Sequence, residues 1–371
     1  MFLAANFRDY ATNQPRSNYL FDAHRNRPRS SEGHQCPNKS ITEFQEHGSR
    51  IAGDSGSDIN LKPSWLDVEL LIDGRRVACD HLFGLMYGHL SGLYMLVYLP
   101  SILFPLLATG ASKSVADLFV RYLSTLRHVH TWYAGDISNS SDDAAKSIAL
   151  VRRMHSQIAQ RLNAGKTSGQ NVLYLSAWDM HLTQFAFVGL PILKPQYFGF
   201  RDNPKDLEAL IHFWRYVGHL LGIPDHYNLC NKPLPELREH CQLLLDNIFK
   251  PALAKSQRDS SAMSDGIVES VRSYIPGLAV NGFKQYLYDT IALRSKDKNS
   301  VFSLPMDLTS RVSYYASWIT FRYLLHIPSV CKIFNRLLCR ALAKAIRRRD
   351  TIRSNLEGHQ LAIQAAFVTN I

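Results

Sequence analysis

RYLST at residues 121–125 and VRRMH at residues 151–155 are the two stretches of this sequence that decide how we expect the rest of it to fold. Both fall in segments with helical spacing, and Arg121 and Thr125, four residues apart, share one face of the first helix. Polar side chains that point into the interior need a partner, because burying one unpaired costs about 2–7 kcal/mol. The sequence therefore predicts a polar site between two neighbouring helices, where the partner is protein, water or a cofactor.

The second of these helices directs His155 towards the core. Its apolar positions and the histidine follow one helical stripe: Ile148, Val151, His155, Ile158 and Leu162. Ser114 is expected to cap the helix that carries Arg121, and Ser140 or Ser141 the helix that carries His155.

Charge is distributed unevenly along the chain. The net charge is +11, yet residues 1–60 hold seven basic and seven acidic side chains, whereas the segment from Arg311 to Arg353 holds ten basic residues and one acid. Residues 1–60 lack hydrophobic periodicity and are predicted to be a disordered or loosely docked tail. We expect a helical domain over residues 61–300 and a basic amphipathic segment over residues 301–371.

The longest apolar run extends from Leu90 to Ala111 and contains no charged residue. By length it could span a bilayer. Pro100 and Pro105 interrupt it, and such breaks are also typical of a helix buried in a core and packed around a ligand. The sequence leaves both interpretations open.

Cysteine usage and the N-terminus both suggest an intracellular protein. The six cysteines are scattered without a CxxC pair, which is typical of reduced thiols and does not favour a zinc site. The apolar run at the N-terminus is too short for a signal peptide.

The remaining segments predict an all-α protein without strands or internal repeats. Further helices are expected over residues 177–190, 206–221, 234–249 and 268–293, with a loop over residues 163–171. Gly222, followed by Pro224, is expected to end the helix over residues 206–221.

The C-terminal segment has an apolar stripe opposite a basic face. The stripe comprises Val330, Ile333, Phe334, Leu337, Leu338, Ala341 and Ala345. Within residues 330–349 this pattern is typical either of a helix docked on the core or of a helix lying on an anionic membrane. Nucleic acid is not expected as a partner, because aromatic residues suited to base stacking are not interleaved with the basic ones.

The sequence lacks the GxSxG, P-loop, HExxH and GxGxxG motifs. A different series of motifs resembles the rubber oxygenase (latex-clearing protein) family, which also includes an endoplasmic-reticulum-bound oxygenase of fungal mycophenolic acid biosynthesis. The resemblance covers residues 63–293. It rests on Trp65, Asp67, Thr109-Gly110, Arg121, Thr125, Arg152-Arg153-Met154-His155, Asp179-Met180, Thr183-Gln184-Phe185, Phe213-Trp214-Arg215, Gly218 and Gly222-Ile223-Pro224-Asp225.

The resemblance implies a globin-like helical core that binds haem b, with His155 as the proximal iron ligand and Arg121 and Thr125 facing the haem. Ser124 stands where rubber-cleaving members have a lysine. No acid lies between residues 90 and 111, where we would look for their distal glutamate. These two departures do not affect the expected fold and haem, but they count against cleavage of rubber itself.

We therefore expect a haem-dependent oxygenase that uses O₂ to attack a carbon–carbon double bond of a hydrophobic substrate such as an isoprenoid or lipid. His155 would hold the iron, Arg121, Thr125 and Arg152 would bind the cofactor, and Arg121, Ser124 and Thr125 would line the reaction site. The alternative is a non-catalytic lipid-binding or membrane-associated protein that keeps the fold without haem. We expect an intracellular location at the endoplasmic reticulum or another membrane.

Other interpretations of these residues remain open. Arg121 is equally suited to anchor a buried carboxylate, either Asp117 or Asp179. Asp179 and Arg215 are candidates for a structural ion pair. A second axial ligand could come from one of three histidines, namely His128, His130 and His181.

Overall fold

The structure, a computed structural model, describes residues 37–164, 172–293, 303–359 and 361. In this part of the chain the regular elements are helical, which confirms the predicted all-α class; residues 52 and 176 form an isolated antiparallel bridge. The α-helices are α1 (Pro37–Gly48), α2 (Val68–Asp80), α3 (Leu82–Leu96), α4 (Pro100–Ala108), α5 (Val115–Ala134), α6 (Asp143–Ala164), α7 (Ala177–Gln184), α8 (Leu190–Leu193), α9 (Pro204–Leu220), α10 (Leu234–Leu244), α11 (Lys250–Lys255), α12 (Arg258–Arg272), α13 (Val280–Thr290), α14 (Leu308–Arg322), α15 (Pro328–Arg347) and α16 (Arg349–Leu356).

Helix α3 lies at the centre of the fold. Every residue from Gly84 to Leu96 is buried, as expected for a charge-free helix that is apolar on all sides. It packs against α12, α15 and a π-helical turn at Phe185–Gly189 that continues α7. Gly92 permits the close approach to this turn, because a Cβ atom there would overlap the carbonyl oxygen of Ala186.

The apolar run over residues 90–111 is divided between two helices. Helix α3 ends at Leu96, α4 begins at Pro100, and the two axes differ by 95°. Pro100 occupies the first turn of α4, where its missing N–H is not needed. Among the described residues, no single helix is long and apolar enough to cross a bilayer. Helices α3 and α4 meet both criteria only when they are taken together as a bent pair.

Helix boundaries follow the expected signals in most places. Ser114 caps α5 by accepting a hydrogen bond from the backbone N–H of Asp117. Asp142, rather than Ser140 or Ser141, accepts from the first turn of α6. Gly222 follows α9 with φ +85°, a left-handed conformation that glycine adopts without strain.

The prediction of a single helix over residues 268–293 is wrong. The chain forms α12 as far as Arg272 and resumes as α13 at Val280. Pro276 cannot donate a helical hydrogen bond, and Gly277 adopts φ +93°. These two residues therefore prevent one continuous helix from forming across the segment. Of the loop predicted over residues 163–171, residues 165–171 lie outside the described residues.

Part of the predicted N-terminal tail packs on the domain. Helix α1 buries Ile41, and the ring of Phe44 lies 4.6 Å from that of Tyr227. The chain then passes Asp54, which forms an ion pair with Arg152. Residues 37–60 therefore belong to the folded part, whereas residues 1–36 lie outside the described residues.

Helix α15 docks on the core with a face that only partly coincides with the predicted stripe. Its buried side chains are Cys331, Leu338, Leu342 and Ala345. Ile333 and Leu337 of the predicted stripe are instead 52% and 51% exposed. Asn335 explains this rotation, because its side chain donates to the carbonyl oxygen of Asp80 (2.8 Å) and accepts from the N–H of Phe83 (2.9 Å) at the α2–α3 junction.

Candidate functional site

His155 lies on α6 at the end of a buried stripe. Ile148 and Val151 are buried, while the imidazole keeps partial accessibility. Burial, together with the nearby positive charge of Arg121, lowers the pKa of His155 to about 4. The imidazole of His155 is therefore neutral at physiological pH.

The Nδ1 atom of His155 is buried and has no hydrogen-bond partner among the described residues. Buried polar atoms are nearly always paired, so an unpaired one calls for a partner such as ordered water or a ligand. A neutral imidazole with a free nitrogen is the form of histidine that ligates metals.

Arg121 points from α5 towards the segment that follows α4. Its Nη1 donates to the hydroxyls of Ser112 (2.9 Å) and Thr109 (3.1 Å) and to the carbonyl oxygen of Leu106 (3.3 Å). Burial lowers the pKa of Arg121. No carboxylate of the described residues lies within ion-pair distance, so neither carboxylate that the sequence suggested as its anchor fills that role. Arg121 is a partly buried cation that neutral oxygens hold in place.

Ser124 and Thr125 lie one turn further along α5 and are both partly buried. The hydroxyl of Thr125 donates to the carbonyl oxygen of Arg121 at 3.2 Å, which keeps its proton within the helix. Because α5 packs against α6, these side chains and His155 belong to one region of the fold. Arg121 lies close enough to His155 for its charge to lower the pKa of that imidazole.

Arg152, one turn before His155, is bound to protein. Its Nε and Nη2 donate to Asp54 at 3.0 and 2.6 Å, and Nη2 also donates to the carbonyl oxygen of Ser57. Ser156 donates to the same carboxylate at 2.6 Å. Arg152 therefore has its charge balanced by Asp54, in contrast to its predicted contact with a cofactor.

Asp54 is the residue of this region that the sequence analysis missed. Burial on its own would raise the pKa of Asp54, but hydrogen bonds from Arg152 and Ser156 outweigh it and hold the pKa below its ordinary value. The carboxylate thus binds Arg152 and Ser156, which flank His155 on α6, and we call this set of contacts the clamp. Its position in a Gly- and Ser-rich stretch carries no sequence signal for such a role.

The three histidines suggested as second axial ligands have other contacts. These are His128 Nδ1 with Ser147 Oγ (2.7 Å), His130 Nε2 with Cys339 Sγ (3.6 Å) and His181 Nε2 with His240 Nε2 (2.8 Å). The Nδ1 atom of His181 also donates to the carbonyl oxygen of Tyr227, so its Nε2 is an acceptor. None of these contacts places a second imidazole beside His155.

The predicted ion pair between Asp179 and Arg215 is wrong. Asp179 forms a capping box with Ser176 at the start of α7. Arg215 instead donates to Asp225 at 3.2 Å and stacks over the ring of Trp65 at 3.9 Å. These motif residues fix the packing of α7 and α9.

An apolar cavity of about 60 Å³ lies beside α5. Leu90 and Leu93 of the predicted apolar run line it, together with Tyr122 and Leu126 on the face of α5 next to Arg121 and Thr125. Part of the run therefore borders an interior space, as expected. Helix α4, the second half of the run, contains no acidic residue.

The residues present fit a haem group. In the described part of the chain, no three His, Cys, Asp or Glu side chains converge on one metal position. A metal at His155 would therefore take a single protein ligand and need the rest from a cofactor. The neutral imidazole of His155 suits the iron of such a group, and the guanidinium of Arg121, which has no carboxylate partner among the described residues, suits its carboxylates.

Comparison with known families identifies this part of the chain as an oxygenase-type catalytic domain. The chain belongs to the family described as ER-bound oxygenase mpaB/B'/Rubber oxygenase, catalytic domain, whose model matches residues 75–294. This match confirms the resemblance inferred from the motifs, and it includes both α5 and α6.

Rubber oxygenase from Streptomyces sp. (strain K30) is a relative with 24% identity over 257 residues, which are 66% of this chain and 57% of that protein. The chain thus spans little more than half the length of this relative. The structure of latex clearing protein LCP in the closed state is also similar, with a TM-score of 0.48 and 20% identity, covering 85% of this chain and 81% of that chain.

Proposed function

We propose that this protein is a haem b-dependent oxygenase that attacks a carbon–carbon double bond of an apolar substrate such as an isoprenoid or another unsaturated lipid. The observation that carries the proposal is His155, a neutral imidazole whose buried Nδ1 atom has no hydrogen-bond partner among the described residues. Its place within the family match supports the same conclusion.

In this proposal His155 holds the iron and Arg121 holds a haem carboxylate or bound oxygen. Haem iron, when bound, supplies the site that binds and activates O₂. Arg121 suits its role because Ser112, Thr109 and Leu106 engage only Nη1. Its remaining N–H groups are available for a planar, two-point contact with an anion.

Other side chains set the conditions at the site. Ser124 carries no amine that would compete with O₂ for the iron. The proton of the Thr125 hydroxyl is held by the Arg121 carbonyl oxygen, so Thr125 offers the site an acceptor rather than a donor. Helix α4 is apolar and includes no carboxylate to act as a base. We therefore leave rubber itself out of the proposed substrates.

Oxygen uptake by haem-loaded protein tests this function. We expect uptake with squalene, an unsaturated isoprenoid, and none with squalane, its saturated counterpart. Arg121→Gln should lower the rate at least about tenfold, the order expected for loss of a charged contact in a desolvated site. Arg127→Gln, an exposed position on the same helix, should leave it unchanged. Stoichiometric haem without uptake on any unsaturated lipid would refute the oxygenase assignment.

A second candidate is a lipid-binding protein that keeps the fold without haem. The observations that favour it are Ser124 in place of the family lysine and the absence of an acid in α4. It predicts protein that purifies without haem from haem-supplemented cells and carries bound lipid. Haem absorption in stoichiometric amount would remove this candidate.

We further propose that the protein works at an intracellular membrane such as the endoplasmic reticulum, where a water-insoluble substrate is concentrated. The family description, which names ER-bound members, supports this location. Fractionation of expressing cells tests it: recovery of the protein with microsomes is expected, and recovery in the membrane-free supernatant would contradict it.

A further inference from the structure

Exposed apolar side chains are concentrated in one part of the chain. Of the fifteen large apolar side chains that are exposed among the described residues, ten lie between positions 308 and 346. They are Leu308, Val312, Tyr315, Trp318, Ile319, Tyr323, Ile327, Ile333, Leu337 and Ile346. Single exposed apolar residues are normal on protein surfaces, but a concentration of this kind marks an interaction site.

Helix α14 presents its apolar stripe to the outside. Leu308, Val312, Tyr315 and Ile319 follow spacings of 4, 3 and 4, which place them on one face of the helix. Their exposed fractions are 78%, 60%, 58% and 46%. A helix of a soluble protein ordinarily turns such a stripe towards the core.

The inner face of α14 is held by polar contacts instead. Ser313 accepts a hydrogen bond from the backbone N–H of Ala279 (2.9 Å), and the hydroxyl of Tyr314 donates to Asp289 (2.7 Å). Phe321 is buried to 1% exposure at the end of the helix. These contacts fix the orientation of α14, so the outward stripe is a property of the docked helix.

Positive charge accompanies the exposed apolar residues. The segment from Arg311 to Arg353 contains ten basic residues and one acid. On α15, Lys332, Arg336 and Arg340 are exposed beside Ile333 and Leu337. On α15 apolar and cationic side chains thus lie side by side, an arrangement that matches the headgroup region of an anionic bilayer.

We propose that the outer faces of α14 and α15 bind the surface of a membrane that contains anionic lipid. The aliphatic and aromatic side chains of α14 enter the interface, and the basic residues of α15 contact headgroup phosphates and carboxylates. A second copy of the chain fits less well, because two such positively charged surfaces repel each other. This surface adds α14 to the helix predicted over residues 330–349; of the predicted stripe on that helix, Leu338 and Ala345 pack on the core, while Ile333 and Leu337 belong to the exposed surface.

Flotation of the full-length protein with vesicles tests the proposal without requiring haem, so its outcome is independent of the oxygenase assignment. We expect binding to phosphatidylcholine vesicles that contain phosphatidylserine, weaker binding to pure phosphatidylcholine, and loss of binding as salt screens the charges. The double variant Val312→Asn with Ile319→Asn should lower the partition coefficient at least about tenfold, because two exposed aliphatic side chains are lost.

A matched control uses α2, where Val68 and Ile72 are also exposed and four residues apart. Val68→Asn with Ile72→Asn should bind vesicles like the wild type. A charge variant, Lys332→Gln with Arg336→Gln and Arg340→Gln, should bind phosphatidylserine vesicles no better than neutral ones.

Three results would overturn the proposal. The first is equal binding by the α14 variant and the wild type. The second is equal binding of the wild type to neutral and anionic vesicles. The third is a wild-type dimer that the α14 variant converts to a monomer without any vesicle binding by either protein, which would assign the surface to self-association.

Discussion

Replacing Asp54 by asparagine removes the carboxylate that clamps α6 around His155. Asp54 accepts two hydrogen bonds from Arg152 and one from Ser156. The side chains of Asp54 and Arg152 are 26% and 12% exposed. Breaking a fully buried ion pair costs about 3–5 kcal/mol, whereas exposed pairs contribute about 0–1 kcal/mol. For this intermediate exposure we expect Asp54→Asn to lower the free energy of unfolding by about 2 kcal/mol.

Urea unfolding at neutral pH measures this loss, with Asp73→Asn as the matched control. Asp73 also pairs with an arginine, Arg76, but the two side chains are 57% and 54% exposed. The control should therefore lose less than about 1 kcal/mol. Because the pKa of Asp54 is lowered in the folded protein, its contribution is present at neutral pH and disappears as the pH falls below the ordinary carboxyl range. Equal losses for the two variants would refute the clamp.

Three further outcomes follow from the core. Gly92→Ala should destabilise the protein by several kcal/mol, because its Cβ would overlap the carbonyl oxygen of Ala186; Gly358→Ala, with open space around it, should be nearly neutral in thermal unfolding. Tyr133→Phe should cost about 1–3 kcal/mol in urea, since it leaves the buried Nε2 of His89 unpaired; no loss would contradict this network. Burial lowers the pKa of His89 to about 4, so the unfolded chain binds a proton at a higher pH than the folded protein does. The free energy of unfolding should therefore be unaffected by His89 above pH 6.5 and should fall by roughly 3 kcal/mol as the pH decreases to 4. Urea midpoints that do not change between pH 7 and 5 would contradict this.

Local signals in the sequence predict those parts of the fold that local physics determines. Ser114 caps α5 because a side-chain hydroxyl can accept from a free N–H in the first helical turn. Gly222 ends α9 because the chain there needs a left-handed conformation. The charge-free run predicts the burial of α3.

Features that depend on distant contacts could not be predicted in this way. Asn335 rotates α15 by binding the junction of α2 and α3, more than 250 residues away in the sequence. Arg215 pairs with Asp225 rather than Asp179, and spacing alone does not distinguish the two carboxylates. The break at Pro276 was visible in the sequence, but the apolar periodicity on both sides of it outweighed this signal.

The candidate site likewise has one part that the sequence predicts and another part that it does not. The face of α5 that carries Arg121 and the stripe of α6 that carries His155 follow from helical spacing, and the structure brings both into one region. The role of Asp54 arises from the path of the chain before α2, which periodicity does not describe. The roles of these residues in binding haem remain a proposal that spectroscopy can test.

The most direct test of our central claim is imidazole rescue of a His155→Gly variant. The wild type, purified from haem-supplemented cells, should retain haem through gel filtration and show a Soret band. His155→Gly should lose most of the haem, and added imidazole should restore the Soret band by replacing the missing side chain. His128→Gly, which carries the same helix cost of about 1 kcal/mol, should retain haem without imidazole. A wild type without a Soret band, or a His155→Gly variant whose band is unchanged, would contradict the assignment of His155 as the iron ligand.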